Sequence, residues 1–242
     1  MAANLLISGL PAAEQNRLQP FFEKVHLNDG EELVRAGEPI GSIWFIESAV
    51  IFTFQPLHNG RHIPAGLAGN DGVAGFELWL GRNLSPLATV AEVGGDALRM
   101  NADDLTHEVL GRRSPLNQAL GDYVFNFVTM GAQMAVCLQS HPPEERLCRW
   151  LQMIQLRAPG HDRFPLSESL AATLLNTKPN TALLSLRILE QAGLIEYRDH
   201  YVRVLDKQAL KDGCCECLAL FEERLSRLQN PTGPTSPPDL SG

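Results

Sequence analysis

Apolar positions change their period twice along this chain. Between Glu31 and Met100 they come as short runs broken by turn residues: Glu31 to Arg35, Ile43 to Ile46, Val50 to Phe54, His62 to Leu67, Ala88 to Val93 and Asp96 to Met100. Such runs predict strands, and many short strands at near-regular spacing predict a small jelly roll or barrel. Two of them, Ile43 to Ile46 and Val50 to Phe54, predict a hairpin across Glu47-Ser48-Ala49. A short helix is expected before the strands, over Ala12 to Phe22. Another is expected after them, with Asn101 as its cap.

From Pro115 the period becomes helical. Leu116, Leu120, Tyr123, Phe127, Met130, Met134 and Cys137 recur at alternating steps of four and three, an a/d heptad seam on one long helix ending near Gln139. A seam on a helix that joins two domains predicts pairing with a second copy, with Gly121 and Gly131 permitting close approach. His141-Pro142-Pro143 breaks that helix. Glu144 to Leu156 then resumes as an amphipathic helix with Leu147, Trp150, Leu151 and Ile154 inward.

The segment Phe164 to Asp206 is the most specific. Ser167 can cap a helix over Glu168 to Leu175, with Leu170, Leu174 and Leu175 on one face. Asn176 stands where a left-handed residue suits a sharp turn. Pro179 suits the first position of a second helix, which runs to about Gln191 and is closed by Gly193. Ala182, Leu186 and Leu189 can face a core. Leu194 to Tyr197 and Tyr201 to Val204 then read as strands around Arg198-Asp199-His200. This is the outline of a winged helix-turn-helix, which points to a DNA-binding regulator.

The chain has 242 residues, enough for two domains with real cores, and a formal net charge of −8. The acidity weakens a nucleic-acid reading, but segment 141–212 is close to balanced, and a few residues on one face make phosphate contacts. Nothing approaches a transmembrane span, and the N-terminus lacks the basic region of a signal peptide, so a cytoplasmic location without membrane partners is expected. The tail from Asn230 is rich in Pro, Ser and Gly and is expected to be disordered. Before it, Leu218 to Leu228 predicts an amphipathic helix with Leu218, Phe221 and Leu225 on one face. No P-loop, GxSxG, HExxH or HxH pair occurs, and Asn59-Gly60 predicts a turn between His58 and His62, so no catalytic site is expected. Cys148 reads as a small buried apolar residue. Cys214, Cys215 and Cys217 are clustered, and three thiols could hold a soft metal or sense redox state, but no fourth ligand is evident and they read as reduced thiols near a helix start, so no metal site is assigned.

Six segments in order extend this reading. They are GEPIGSIWFIESAV (37–50), GNDGVAGFELWLG (69–81), SPLATVAEVGGDALRM (85–100), PPEERLCRWLQM (142–153), FPLSESLAATLL (164–175) and ILEQAGLIEY (188–197). Together they resemble the Crp/Fnr superfamily of bacterial transcription regulators over about residues 4 to 217. The resemblance implies a cyclic-nucleotide-binding-like β-roll, a dimerisation helix, homodimers on double-stranded DNA, and RNA polymerase as a further partner. It also places an effector pocket near Gly75, Glu77, Ser85, Tyr123 and Phe127.

The departures from that family are informative. Members that bind cyclic AMP carry an Arg-Ser pair about ten residues after a Gly-Glu pair, because the cyclic phosphate needs the arginine. Here Gly75-Phe76-Glu77 is followed by Asn83-Leu84-Ser85-Pro86, so cyclic-nucleotide binding is not expected. Cluster-bearing members use N-terminal cysteines, whereas the first Cys here is Cys137, so an iron–sulfur cluster is not expected either. No cofactor is evident. The base-reading positions of the family's recognition helix fall on Pro179, Asn180 and Leu184. Asn180 suits adenine and Leu184 a thymine methyl. Ser167, Lys178, Thr181 and Arg187, with the wing residues Arg198, His200 and Arg203, suit the phosphate backbone.

The expectation is therefore an α+β chain in four parts. Residues 1–112 form a β-roll sensor (a jelly roll) and 113–140 a dimerisation helix. Residues 141–212 form a winged helix-turn-helix, and 213–242 a C-terminal helix and tail. Its function reads as an effector-coupled, sequence-specific transcription regulator. The alternative is a degenerate dimer with weak or no specific DNA binding, used for protein interaction.

Overall fold

Strands that alternate buried and exposed residues need a second apolar layer, and the N-terminal half supplies it by folding two sheets face to face. A computed structural model describes residues 3–158, 161 and 163–229. Helices α1 (Leu5–Ser8) and α2 (Ala12–Leu18) lead into strands β1 (Glu23–Leu27), β2 (Glu31–Val34), β3 (Ser42–Ile46), β4 (Val50–Pro56), β5 (His62–Ala68), β6 (Val73–Ala74), β7 (Ala88–Val93) and β8 (Gly95–Asn101). They form two antiparallel four-stranded sheets, ordered β1-β8-β3-β6 and β2-β7-β4-β5. The hairpin expected across Glu47-Ser48-Ala49 does not form. β3 pairs with β6 and β8, and β4 pairs with β5 and β7, so the chain changes sheets at that corner. It changes sheets again between β7 and β8. The two corners touch where Gly95 faces Ser48 and Ala49: a Cβ on Gly95 would lie 2.5 Å from the Ala49 nitrogen. β1 escaped the periodicity because Leu27 is its only buried residue, and β6 because it has two residues.

Asn101 accepts from the Asp104 N–H and caps α3 (Ala102–Glu108), as its sequence predicts. Helix α4 (Pro115–Ser140) follows, with Ser114 as its cap. The heptad seam of α4 does not face outward. Leu116, Leu120 and Tyr123 are buried in the core of the roll, and Met130, Met134 and Cys137 in a second core shared with the C-terminal half. Phe127 lies between these groups, 4.8 Å from the Phe76 ring and against Gly66, which has no side chain to displace it. The seam is thus consumed by its own chain: the roll covers its first part, and the C-terminal half, with Cys215 and Cys217 against Cys137, closes over its end. The outward residues of α4 include Phe125, Val128 and Val136, which are 68%, 63% and 55% exposed, with Ala132 and Ala135 beside them.

His141 and Pro142 turn the chain into α5 (Pro143–Arg157), whose Leu147, Trp150, Leu151 and Ile154 are buried as expected. The remaining elements are β9 (Arg163–Pro165), α6 (Glu168–Leu175), α7 (Pro179–Gln191), β10 (Ile195–Arg198), β11 (Tyr201–Val204), α8 (Lys207–Asp212) and α9 (Cys217–Gln229). β9 adds a third strand to the wing, in the order β10-β11-β9. Leu218 and Phe221 of α9 are buried; the Leu225 side chain and the tail from Asn230 lie outside the described residues.

Among the contacts that seat the C-terminal half on the roll are a ring pair, an ion pair and a hydrogen bond. The Phe52 and Trp150 rings are 5.7 Å apart. Arg157 and Asp71 form a buried ion pair at 2.6 Å. Arg61, in the loop between β4 and β5, donates to the Asn176 side chain in the turn between α6 and α7.

Candidate nucleic-acid interface

The helix-turn-helix is set by local chemistry. The Ser167 hydroxyl accepts from the Leu170 N–H at 3.0 Å and starts α6. Asn176 takes the left-handed conformation, with φ and ψ both 48°. Lys178 is extended at ψ 152°, as a residue before proline must be, and Pro179 opens α7. Gly193, at φ 73°, follows its end. Ala182, Leu186 and Leu189 are buried, and so is Ser185, whose hydroxyl donates to Glu144 of α5 at 2.7 Å. That charge-assisted bond links α7 to α5, and the same hydroxyl lies 3.3 Å from the Thr181 carbonyl one turn back.

With this face anchored, Asn180, Thr181, Leu184 and Arg187 all point to solvent, and Lys178 is exposed beside them. Pro179 has no N–H and the Thr181 N–H donates to the Lys178 carbonyl at 3.0 Å, so at the start of α7 the Asn180 N–H, which has no partner among the described residues, is left to meet an anion. The wing turn is tighter than its sequence suggests. Arg198 pairs with Tyr201 in the ladder, and the loop is Asp199-His200 alone, both left-handed at φ 52° and 63°. That is the twist favoured in two-residue hairpins.

The charges on this face are partly spoken for. Arg187 forms an ion pair with Glu190 at 2.6 Å, and Arg198 with Glu196 at 2.9 Å; Arg203 lies 3.9 Å from the same Glu196. Glu190 also accepts from the Tyr197 backbone N–H. That bond, aided by Arg187, lowers its carboxyl below the usual value. Lys178 and His200 form no ion pair among the described residues. Sequence reasoning missed Glu190 and Glu196 as partners, although Glu190 stands three residues after Arg187 on one helix. It also missed Arg163, exposed on β9 with its guanidinium 4.1 Å above the Tyr201 ring.

Gly75, Glu77 and Ser85 come together inside the roll. Gly75 is left-handed, and Glu77 and Ser85 are buried, with the Ser85 hydroxyl donating to Glu77 Oε1 at 2.5 Å. Glu77 Oε2 has no hydrogen-bond partner among the described residues. Arg82 is exposed. Tyr123 and Phe127 pack on Phe76, and the Tyr123 hydroxyl donates to the Val73 carbonyl at 2.9 Å. Burial pushes the Tyr123 phenol well above its ordinary value.

The thiols divide differently from their order in sequence. Cys215 and Cys217 turn toward Cys137 of α4, whereas the Cys214 thiol donates to the Leu210 carbonyl at 3.3 Å. Cys148 is buried, and burial raises its thiol to about 11.

Residues 145–212 match the model of the Crp-like helix-turn-helix domain. No curated protein matches the chain in sequence. The fold recurs in solved structures at low identity. FixK2 from Bradyrhizobium japonicum is 15% identical, with a TM-score of 0.65 over 80% of this chain and 98% of that one. The c-di-GMP responsive global regulator CLP of Xanthomonas campestris is 16% identical, with a TM-score of 0.63 over 81% and 100%. A CRP/FNR family transcriptional regulator from Thermus thermophilus is 14% identical, with a TM-score of 0.64 over 79% and 97%. The chain therefore carries a Crp-like helix-turn-helix domain joined to a β-roll in the fold of the Crp/Fnr-type transcription regulators.

Proposed function

We propose that the protein is a homodimeric, sequence-specific DNA-binding transcription regulator. The observation that carries this reading is α7: one face is locked into the core, and the opposite face presents Asn180, Thr181 and Leu184 at its start. In the major groove Asn180 can pair with adenine N6 and N7, and Leu184 can meet a thymine methyl. Lys178, Ser167 and the Asn180 N–H at the start of α7 suit backbone phosphates, as do the wing residues, which position the helix without reading sequence. The site this predicts leans toward A·T pairs.

Two copies are needed to place two such helices about 34 Å apart on one side of a duplex. The outward face of α4, centred on Phe125 and Val128, is the surface suited to joining them. The roll does not fit a cyclic nucleotide. Ser85 takes Glu77 Oε1, and the nearby Arg82 points to solvent, so a cyclic phosphate would lie buried without a cation. An iron–sulfur cluster on N-terminal thiolates does not fit a chain whose first cysteine is Cys137.

A second reading is favoured by the ion pairs on the docking face. With Arg187, Arg198 and Arg203 engaged by Glu190 and Glu196, the protein would be a degenerate dimer that binds DNA weakly and acts through protein contacts. Selection from random duplex DNA, followed by fluorescence anisotropy over a salt series, separates the two. An enriched palindrome with steep salt dependence supports the regulator. Weak binding without enrichment, in a protein that sediments as a dimer, supports the second reading. In that case Pro179→Arg with Leu184→Arg should restore binding.

A further inference from the structure

Cys137 lies in the last turn of α4, Cys217 at the start of α9 and Cys215 just before it; all three are buried. Their sulfur atoms lie within 4.8 Å of one another, with Cys137 and Cys215 3.5 Å apart. Gln133 donates to the Cys217 sulfur at 3.1 Å. Beside them α5 contributes two buried arginines. Arg146 and Arg149 are 7% and 2% exposed, and neither pairs with a carboxylate among the described residues. Nε and Nη1 of Arg146 and Nε of Arg149 have no hydrogen-bond partner among those residues. Arg149 is held over the Trp150 ring at 4.7 Å and the Phe221 ring at 5.3 Å. Both guanidinium groups interact electrostatically with the Cys137 sulfur.

Buried cations are costly unless anions lie beside them, and thiols that keep their protons do not offset them. Three thiolates do so once they share a metal ion. With a monovalent ion the three thiolates keep two negative charges, which the two arginines balance. A divalent ion would leave an excess positive charge. Zinc in closed protein sites also takes four ligands, and no fourth Cys, His, Asp or Glu joins this group among the described residues. We propose that Cys137, Cys215 and Cys217 form a three-thiolate site for a soft monovalent ion of the Cu(I) class, with Arg146 and Arg149 as its counter-charges. Binding exchanges the thiol protons for the metal, releasing up to one per sulfur, with no change in sulfur oxidation state. The site ties α9 to the end of α4, next to the His141-Pro142 break that leads into the helix-turn-helix domain.

The test is an anaerobic titration of the reduced full chain with Cu(I) against a chromophoric Cu(I) chelator, with Zn(II) titrated in parallel. The expected result is one Cu(I) retained per chain and far weaker Zn(II) binding, with three sulfur neighbours at the copper X-ray absorption edge. Cys137→Ser and Cys215→Ser should each abolish retention, while Cys214→Ala and Cys148→Ala should leave it unchanged. Arg149→Gln should weaken it by about 10- to 100-fold, the usual cost of losing an outer-shell partner. Failure of the wild-type chain to retain Cu(I) would overturn the site without recourse to any variant. Tighter Zn(II) than Cu(I) binding would overturn the monovalent assignment. Retention by Cys137→Ser with Cys215→Ser would overturn the ligand set.

Discussion

Replacing Arg157 by Met tests how the two halves of the chain are held together. Arg157 ends α5, and its side chain is 5% exposed; its partner Asp71, in the turn between β5 and β6, is 9% exposed. Nε donates to both carboxylate oxygens at 3.0 Å and Nη2 to Oδ2 at 2.6 Å, while Asp71 Oδ1 also accepts from the Gly69 N–H. The methionine keeps most of the aliphatic bulk but leaves the aspartate buried without its cation. Breaking a buried pair from one side costs about 3–5 kcal/mol. At about 2–4 °C per kcal/mol for a protein of this size, the melting temperature should fall by roughly 10 °C. Urea unfolding followed by tryptophan fluorescence reads it directly, because Trp150 lies against Phe52 at the same junction. Arg157→Met combined with Asp71→Asn should recover most of the loss, since the amide oxygen still serves Gly69 without a stranded charge. A loss below about 1 kcal/mol, the range of exposed pairs, would refute the reasoning and show that water reaches this junction.

Three further outcomes are expected. Phe125→Glu with Val128→Glu should convert a dimer to a monomer in sedimentation velocity while leaving the melting temperature of the chain nearly unchanged, because both side chains face solvent. Glu196→Gln should free Arg198 and Arg203 and steepen the salt dependence of DNA binding by about 0.9 in log–log slope for each additional phosphate neutralised; an unchanged slope would show that the wing does not touch the duplex. Glu92 is held above the usual carboxyl value, first by burial and then by Asp29. Its folded form therefore binds a proton more tightly than the unfolded one, and its contribution turns unfavourable as pH rises above the unfolded value of 4.5. Glu92→Gln should raise the melting temperature at neutral pH and bring no gain below 4.5; an equal gain at both would contradict the burial argument.

The helix-turn-helix was legible almost to the residue because its signals are local. Ser167, Asn176, Pro179 and Gly193 each fix a backbone conformation from their own covalent structure, and α6 and α7 begin and end where those residues stand. The long helix was legible for the same reason, but the use of its faces was not. Two registers at steps of three and four run along it, one from Leu116 to Cys137 and one through Phe125, Val128, Ala132 and Ala135. Periodicity marks both as apolar and is silent on which neighbour covers which. The larger side chains lie on the first, and the roll and α5 cover it. The supposed hairpin from β3 to β4 failed likewise, since two adjacent strands look alike in sequence whether they share a sheet or cross between two.

The candidate site divides along the same line. The exposure of Asn180, Thr181 and Leu184 follows from helical spacing alone. The engagement of Arg198 and Arg203 by Glu196 is local to one hairpin, whereas that of Arg157 by Asp71 and of Cys215 and Cys217 by Cys137 was decided only when distant segments met. By itself the sequence determined where the backbone turns, which residues start and stop helices, and which apolar sets must be covered, because these depend on dihedral preference and on period. Only the tertiary structure decided which surface covers each set and which charges and thiols become neighbours, because those pairings are made across dozens of residues and leave no mark on either segment alone.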